Sequence, residues 1–274
     1  MKTTNFMLRT LSGFIYIAVV IFSILFHPAA FALVIGIFAL LALFEFYRLT
    51  LEKQFPFSYI GLLLGLMVYL FSASLFLKDF QIPVPTNLSW LFLSPYLLIL
   101  LGLNNSKKNA FKETAMLIMG LVYVIAPMAL LLGIYFLDKT RQDIPLVLGI
   151  FILFWVNDTG AYLVGKKFGK NLLFPAISPK KTWEGFVGGL FFCVILGYFI
   201  SLFNHSIQLK EWIIVSVLVG TFGLLGDLAE SQLKRNANVK DSGNIMPGHG
   251  GILDRFDGFL IAVPIIYLYL VSVL

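Results

Sequence analysis

The chain has 274 residues, 59% of them hydrophobic and 12% charged, and its mean hydropathy of +0.91 excludes a water-soluble globular domain. Its 20 Lys and Arg against 14 Asp and Glu leave a net charge of +6, yet no basic helix or aromatic-stacking module stands outside the apolar runs, so that charge is not the footprint of a nucleic-acid binder. The lone Cys193 rules out an internal disulfide and a cysteine metal site.

Apolar runs of membrane-spanning length predict an all-α, polytopic integral membrane protein of about nine transmembrane helices, over residues 10–26, 29–49, 58–78, 87–103, 113–137, 145–165, 183–203, 211–229 and 258–274. No small-residue cleavage site follows the first run, which is therefore read as a retained helix. We expect a single membrane domain, 1–274, organised as an N-terminal three-span bundle (1–80), middle spans (81–144), and C-terminal catalytic spans with their cytoplasmic loops (145–274). With the amino terminus in the cytoplasm, only Lys78, Lys139, Arg141 and Lys210 of the 20 basic residues fall outside. The positive-inside rule supports that orientation and a location in the cell's inner membrane. The inward-facing charge would attract membrane lipid headgroups and anionic soluble substrates.

In chain order, Pro28 after His27 marks a helix start. Glu45, inside the second run, is a candidate to line a lipid-facing cavity, but Arg48 is one turn away and the expectation is a satisfied pair on one helix. Pro127 interrupts the long run 113–137 and requires its freed carbonyl to be rescued by neighbours. From residue 145 the polar content rises. Asn157 and Asp158 stand inside an apolar helix, and Asn157, Ala161 and Gly165 share a face suited to close helix contact. Asp158 is a candidate for the site or for an interhelical hydrogen bond. The stretch S-P-K-K-T-W-E-G then offers Ser178 and Thr182 as helix caps and Glu184 for the first turn. Capping does not call for Lys180 and Lys181, because positive charge is disfavoured at a helix start; the two lysines require an anion.

The densest polar stretch is 227–258, D-L-A-E-S-Q-L-K-R-N-A-N-V-K-D-S-G-N-I-M-P-G-H-G-G-I-L-D-R-F-D-G. If the preceding helix continues into it, Asp227, Glu230, Ser231 and Lys234 lie on one face. Ser242-Gly243-Asn244, Pro247-Gly248 and Gly250-Gly251 make 236–253 a loop whose glycines let backbone approach a ligand. Asp254, Arg255 and Asp257 precede the last span. Carboxylates beside Lys and Arg at such a loop suit Mg²⁺ and phosphate.

The order S-Q-L-K-R, four residues, K-D, then P-G-H-G-G-I-L-D-R-F-D resembles the signature of the phosphatidate cytidylyltransferase (CDP-diacylglycerol synthase) family. Met246 stands where a Leu, Ile or Phe is expected. N-D-x-x-A-Y at 157–162 and S-P-K-K-T-W-E-G at 178–185 look like further motifs of that family. The resemblance implies transfer of a cytidylyl group from CTP to phosphatidate, giving CDP-diacylglycerol and pyrophosphate, with CTP-dependent lipid kinases and membrane transporters as rival classes. A phosphate monoester, with a second pKa of about 6, is already an anionic nucleophile, so no Ser-His or Cys-His device is needed. On this reading Asp227, Lys234, Arg235, His249 and Asp254 are the catalytic group. Asp158, Ser178, Lys180, Lys181, Thr182, Glu184, Ser231, Lys240, Gly250, Gly251 and Arg255 bind substrate. Mg²⁺ falls to Asp227 and Asp254 first, then Asp241 and Asp257, with room for a second cation, and the reading allows a homodimer.

Overall fold

The computed structural model describes residues 2–51, 56–77, 98–99, 110–138, 144–248 and 250–274. In chain order these form α1 (Lys2–Phe26), α2 (Pro28–Thr50), α3 (Pro56–Phe76), α4 (Ala110–Gly120), a π-helical turn (Leu121–Ile125), α5 (Ala126–Leu137), α6 (Leu146–Phe168), strands β1 (Leu172–Phe174) and β2 (Ser178–Thr182), α7 (Trp183–Ser201), α8 (Leu209–Asn236) and α9 (Leu253–Val273). Counting α4 to α5 as one span, eight helical stretches among the described residues are long and apolar enough to cross a membrane. The chain is therefore an all-α, multi-pass membrane protein. The expected span 87–103 lies outside the described residues except for positions 98 and 99.

The helix ends follow local chemistry. His27 is extended (φ −164°) and its Nδ1 accepts the Ala29 amide at 3.1 Å, while Pro28, with no N–H to lose, opens α2. Pro127 is accommodated by the π-helical turn just before it, where the Ala126 amide donates to Leu121 O, five residues back. The turn widens the helix where the proline ring would crowd a carbonyl.

The chain divides into two compact units. The first comprises residues 1–132 with 241–254, and the second 133–240 with 255–274. In the first, α2 is central: Phe31, Ile35, Leu43 and Phe46 are buried, and two tyrosines fasten neighbouring helices. Tyr47 Oη donates to Leu117 O at 2.9 Å and Tyr69 Oη to Ala32 O at 2.7 Å. Both rings need glycine beneath them, because a Cβ at Gly61 would stand 2.7 Å from the Tyr47 ring and one at Gly36 2.7 Å from that of Tyr69. Large apolar side chains such as Phe14, Phe22 and Leu33 remain exposed on these helices, a surface suited to hydrocarbon rather than water.

In the second unit, α6, α7 and α8 pack closely, and their ends away from the β-hairpin are closed by a buried polar network. Asp138 accepts the Leu146 amide (3.0 Å) and the Ser206 hydroxyl (2.6 Å). The fully buried Asn204 donates to Ile144 O at 2.6 Å and accepts from the Ser206 amide at 3.1 Å and the Trp212 indole at 3.3 Å. Removing the amide leaves these partners unsatisfied in the interior, at a cost of about 1–3 kcal/mol. Asn204→Ala should lower the thermal unfolding midpoint of the detergent-solubilised protein, and an unchanged midpoint would show that the network contributes no stability.

Candidate active site

Within the second unit, four elements bring charged side chains together. The first is α6, where Asn157 is buried and Asp158, next to it, is exposed. The face Asn157, Ala161, Gly165 meets α7, as its small residues suggested: a Cβ on Gly189 would lie 2.8 Å from Asn157 O, and one on Gly185 2.9 Å from Ala161 O. With glycine at these points the two helix backbones approach closely.

Between α6 and α7 the chain forms an antiparallel hairpin, with Leu172 opposite Thr182 and Phe174 opposite Ser178. The sequence reading has an irregular loop here, with Ser178 as a cap; Ser178 instead opens β2, and Thr182 alone caps α7, its Oγ1 accepting the Gly185 amide at 3.1 Å. Glu184 reaches out of the helix and accepts from the Lys170 amide (3.1 Å), the Asn171 amide (3.2 Å) and the Asn171 side-chain amide (2.7 Å), fixing the start of the hairpin. Successive residues of a strand face opposite ways, so Lys180 and Lys181 cannot serve one atom together. Lys181 pairs with the carboxylate of Asp227, whereas Lys180 is exposed.

α8 does continue to Asn236, and its polar stripe is real. The Ser231 hydroxyl donates to Asp227 Oδ1 at 3.2 Å, and Lys234 Nζ stands 2.8 Å from Oε2 of the fully buried Glu230. Arg235 closes the helix end, its guanidinium donating to Val239 O at 3.2 Å, and the turn there passes through Asn238 at φ 56°. Beyond it, Lys240 is exposed.

α8 and α9 touch backbone to backbone. A Cβ at Gly258 would lie 3.2 Å from Gly223 O, and one at Gly226 would run into Asp257 O. That contact sets Asp227, the residue after Gly226, beside Asp257, whose Oδ1 accepts the Gly258 amide at 2.6 Å. Asp257 interacts electrostatically with Asp227, Glu230 and Asp158, and Asp158 in turn with Lys181 and Arg255. α6, β2, α8 and the start of α9 thus deliver a cluster of carboxylates laced with lysine and arginine.

The first unit holds the remaining sequence-predicted residues. Asp254 Oδ2 accepts three donors, the Ser242 amide (2.9 Å), the Ser242 hydroxyl (2.9 Å) and the Gly251 amide (2.7 Å). Gly250 takes φ 86° and pairs with Met246, whose amide donates to Gly250 O at 3.0 Å. Asp241 is exposed, and His249 lies outside the described residues. Two acidic residues are missing from the sequence-predicted site. Glu230 is in the polar stripe yet was assigned no role, and Glu45 was paired with Arg48. Arg48 is exposed, whereas Glu45 is 1% exposed and accepts from Ser242 and Leu253, so the ion-pair expectation is corrected. Isolation of an acid within an apolar run was the available signal.

Among the described residues, no group of three or more His, Cys, Asp or Glu is close enough to hold a metal by itself. Mg²⁺ does not need one, since one or two carboxylates with substrate phosphates and water complete its six oxygens. Asp227 and Asp257 fit that requirement in chemistry, being oxygen donors whose clustered negative charge calls for a cation.

Known proteins resemble this chain over most of its length. The model of the cytidylyltransferase family matches residues 7–273. A phosphatidate cytidylyltransferase of Staphylococcus haemolyticus is 34% identical over 269 residues, 96% of this chain and 98% of the relative. That of Haemophilus influenzae is 34% identical over 276 residues, covering 93% and 95%, and that of Staphylococcus saprophyticus is 35% identical over 239 residues, covering 86% and 87%. With its membrane-spanning helices, the family match and these relatives make the chain a membrane-embedded transferase of nucleotidyl groups. The chain belongs to the cytidylyltransferase family.

The glycine contact is open to a direct comparison. Gly226→Ala places its methyl against backbone, which cannot rotate away, whereas the methyl of Gly223→Ala meets the Phe154 ring at 3.2 Å, a side chain that can give. Gly226→Ala should lower both the thermal midpoint and the turnover, on the order of 1–3 kcal/mol in stability, with Gly223→Ala clearly milder. Equal effects would show that the α8–α9 crossing tolerates separation.

Proposed function

We propose that the chain transfers the cytidylyl group of CTP to phosphatidate, giving CDP-diacylglycerol and pyrophosphate for phospholipid synthesis. The observation that carries this reading, within a family of cytidylyltransferases, is the cluster of Asp158, Lys181, Asp227, Arg255 and Asp257 drawn from four elements of one unit. The reaction brings two polyanions together, and the acceptor phosphate is already a nucleophile. The protein's task is to cancel repulsion, align the phosphates, and stabilise charge on the α-phosphate and the leaving pyrophosphate.

Lys181 and Arg255 sit in the carboxylate cluster and are the first cations an entering phosphate would meet, with Lys180, Lys234, Arg235 and Lys240 adding charge around them. Ser231 orients Asp227 through its hydrogen bond. Thr182, Glu184 and Ser178 act through the hairpin: they fix its two ends and thereby the lysines it carries. Gly250 and Gly251 allow backbone to approach a phosphate, and His249 is assigned a phosphate contact. Asp227 and Asp257 are the proposed holders of Mg²⁺, with Asp254 and Asp241 assigned the same chemistry from the motif. When bound, Mg²⁺ neutralises phosphate charge and orients the phosphates for in-line displacement.

The distribution of basic residues supports an inner-membrane location with the site on the cytoplasmic side, where nucleotides are, and the exposed apolar flanks support contact with membrane lipids. Alkaline phosphatase works only outside the cytoplasm. Fused after Leu274 it should be active in cells, and a stable but inactive fusion would place an even number of crossings before that end.

The reaction itself is tested with labelled nucleotide. Purified protein given phosphatidate, Mg²⁺ and α-labelled CTP should put label into lipid, whereas γ-label should leave in pyrophosphate. A lipid kinase would send the γ-label to lipid, and a transporter would label no lipid. In the same assay Asp227→Asn should lower kcat by on the order of 10²-fold. Lys181→Ala should lose more than the roughly fivefold expected of one screened surface charge. Lipid labelling by the γ-phosphate, or none by folded protein, would overturn the proposal.

A further inference from the structure

We infer that Glu45, near the C-terminal end of α2, is a positioning residue for the loop 241–254 that leads into α9, an inference resting on the transferase reading of that loop. A carboxylate in an apolar helix is costly unless its lone pairs find donors. Those of Glu45 are found about 200 positions away in sequence. Oε2 accepts the Leu253 amide at 2.8 Å and lies 3.2 Å from the Ser242 hydroxyl, whose one proton it shares with Asp254 Oδ2 at 2.9 Å. Leu253 is the first residue of α9, and the first amides of a helix have no partner within it. Glu45 therefore supplies from α2 the oxygen that an N-cap side chain ordinarily provides. Its negative charge also faces the positive end of the α9 dipole.

The loop is shaped around this carboxylate. A Cβ on Gly243 would run into Glu45 Oε1, and one on Gly251 would run into Oε2 and the Ser242 hydroxyl. Glu45 thus requires glycine at these two positions, whatever else Gly251 does. Oε1 is buried and has no hydrogen-bond partner among the described residues. Ser242 is the pin: its hydroxyl lies 3.2 Å from Glu45 and 2.9 Å from Asp254 Oδ2, which also accepts the Gly251 amide. Two carboxylates, one from α2 and one from α9, hold both ends of the loop at the same serine.

The tip is held from α1. Arg9 Nε donates to Gly248 O at 2.5 Å and the Ser12 hydroxyl to Pro247 O at 3.0 Å. Among the described residues these fixtures come from α1, α2 and Asp254 at the start of α9, and of them Glu45 is buried. Glu45 acts by accepting hydrogen bonds, so a neutral acceptor of the same length should replace it, whereas a methyl should not. Because the atoms it fixes border the motif residues Asp241, Gly250, Gly251 and Asp254, its loss should reach turnover as well as stability.

The α-label assay on the parent protein comes first, since a parent that labels no lipid sinks the transferase reading and not the role of Glu45. With an active parent, Glu45→Ala should retain a KM for CTP within about threefold while kcat falls on the order of 10- to 100-fold, the cost of displacing a reacting group by an ångström or less. Glu45→Gln should return kcat to within about threefold of the parent. A folded Glu45→Ala with parental kcat overturns the inference, as does a Glu45→Gln as impaired as Glu45→Ala, which would mean that the charge itself is used. If Glu45→Ala cannot be recovered folded, Gly243→Ala decides, because its methyl is aimed at Oε1 and the substitution alters no proposed site residue itself. Parental kcat in folded Gly243→Ala refutes the role, and a loss matching that expected for Glu45→Ala supports it.

Discussion

Direct contact between helix backbones is the constraint on which the C-terminal unit depends. A membrane helix has no hydrophobic gain from meeting another, since lipid is as apolar as its neighbour, and close van der Waals approach must supply the attraction. Gly185 and Gly189 against Asn157 and Ala161, and Gly223 and Gly226 against Asp257 and Gly258, remove the side chains that would hold α6 from α7 and α8 from α9. The same approach does chemical work. It brings Asp158, Asp227 and Asp257 into one field, an arrangement that repulsion would open if the backbones were free to part. Lys181 and Arg255 offset part of that repulsion, and the Lys181 pairing ties the β-hairpin to α8.

The N-terminal unit solves a different problem, that of ordering a glycine-rich loop beside an apolar bundle. Gly248 and Gly250 sit in the left-handed region, so the loop has little intrinsic preference for one shape. Its shape is imposed by acceptors and donors around it: Asp254 from within, Glu45 from α2, Arg9 and Ser12 from α1. A buried carboxylate such as Glu45 is tolerated because the alternative is an unsatisfied helix start. The first two helices are therefore more than anchors.

Most of the architecture was legible in the sequence because hydrocarbon imposes a simple rule. A run of about 20 apolar residues must be helical to satisfy its own backbone, and helix positions follow from hydropathy alone. The stripe Asp227, Glu230, Ser231, Lys234 was readable for the same reason of periodicity, and the face Asn157, Ala161, Gly165 for its small residues. What stayed hidden depends on partners distant in the chain. The hairpin at 172–182 has only eight strand residues, too few for an alternation pattern to stand out, and Lys180 with Lys181 looked like a pair until the strand turned them apart. Glu45 was matched with Arg48 because helical spacing offers near neighbours first, whereas its donors lie in a loop about 200 residues on. Spacing finds partners within an element and is silent about those between elements.

The charge pattern also explains why this scaffold needs no nucleophilic side chain. Where the attacking group is itself an anion, a base adds little, and the barrier lies in bringing like charges together. A rigid frame of alternating carboxylates and cations meets that need only if its own charges are held apart from collapse. In this chain Lys181 is engaged by Asp227, and Lys234 by the buried Glu230. An entering phosphate must therefore compete with a carboxylate for Lys181, and the carboxylate it displaces is left seeking another cation. Under the proposed reaction, recognition of the nucleotide would in that way be tied through a single ion pair to the charge field in which it reacts.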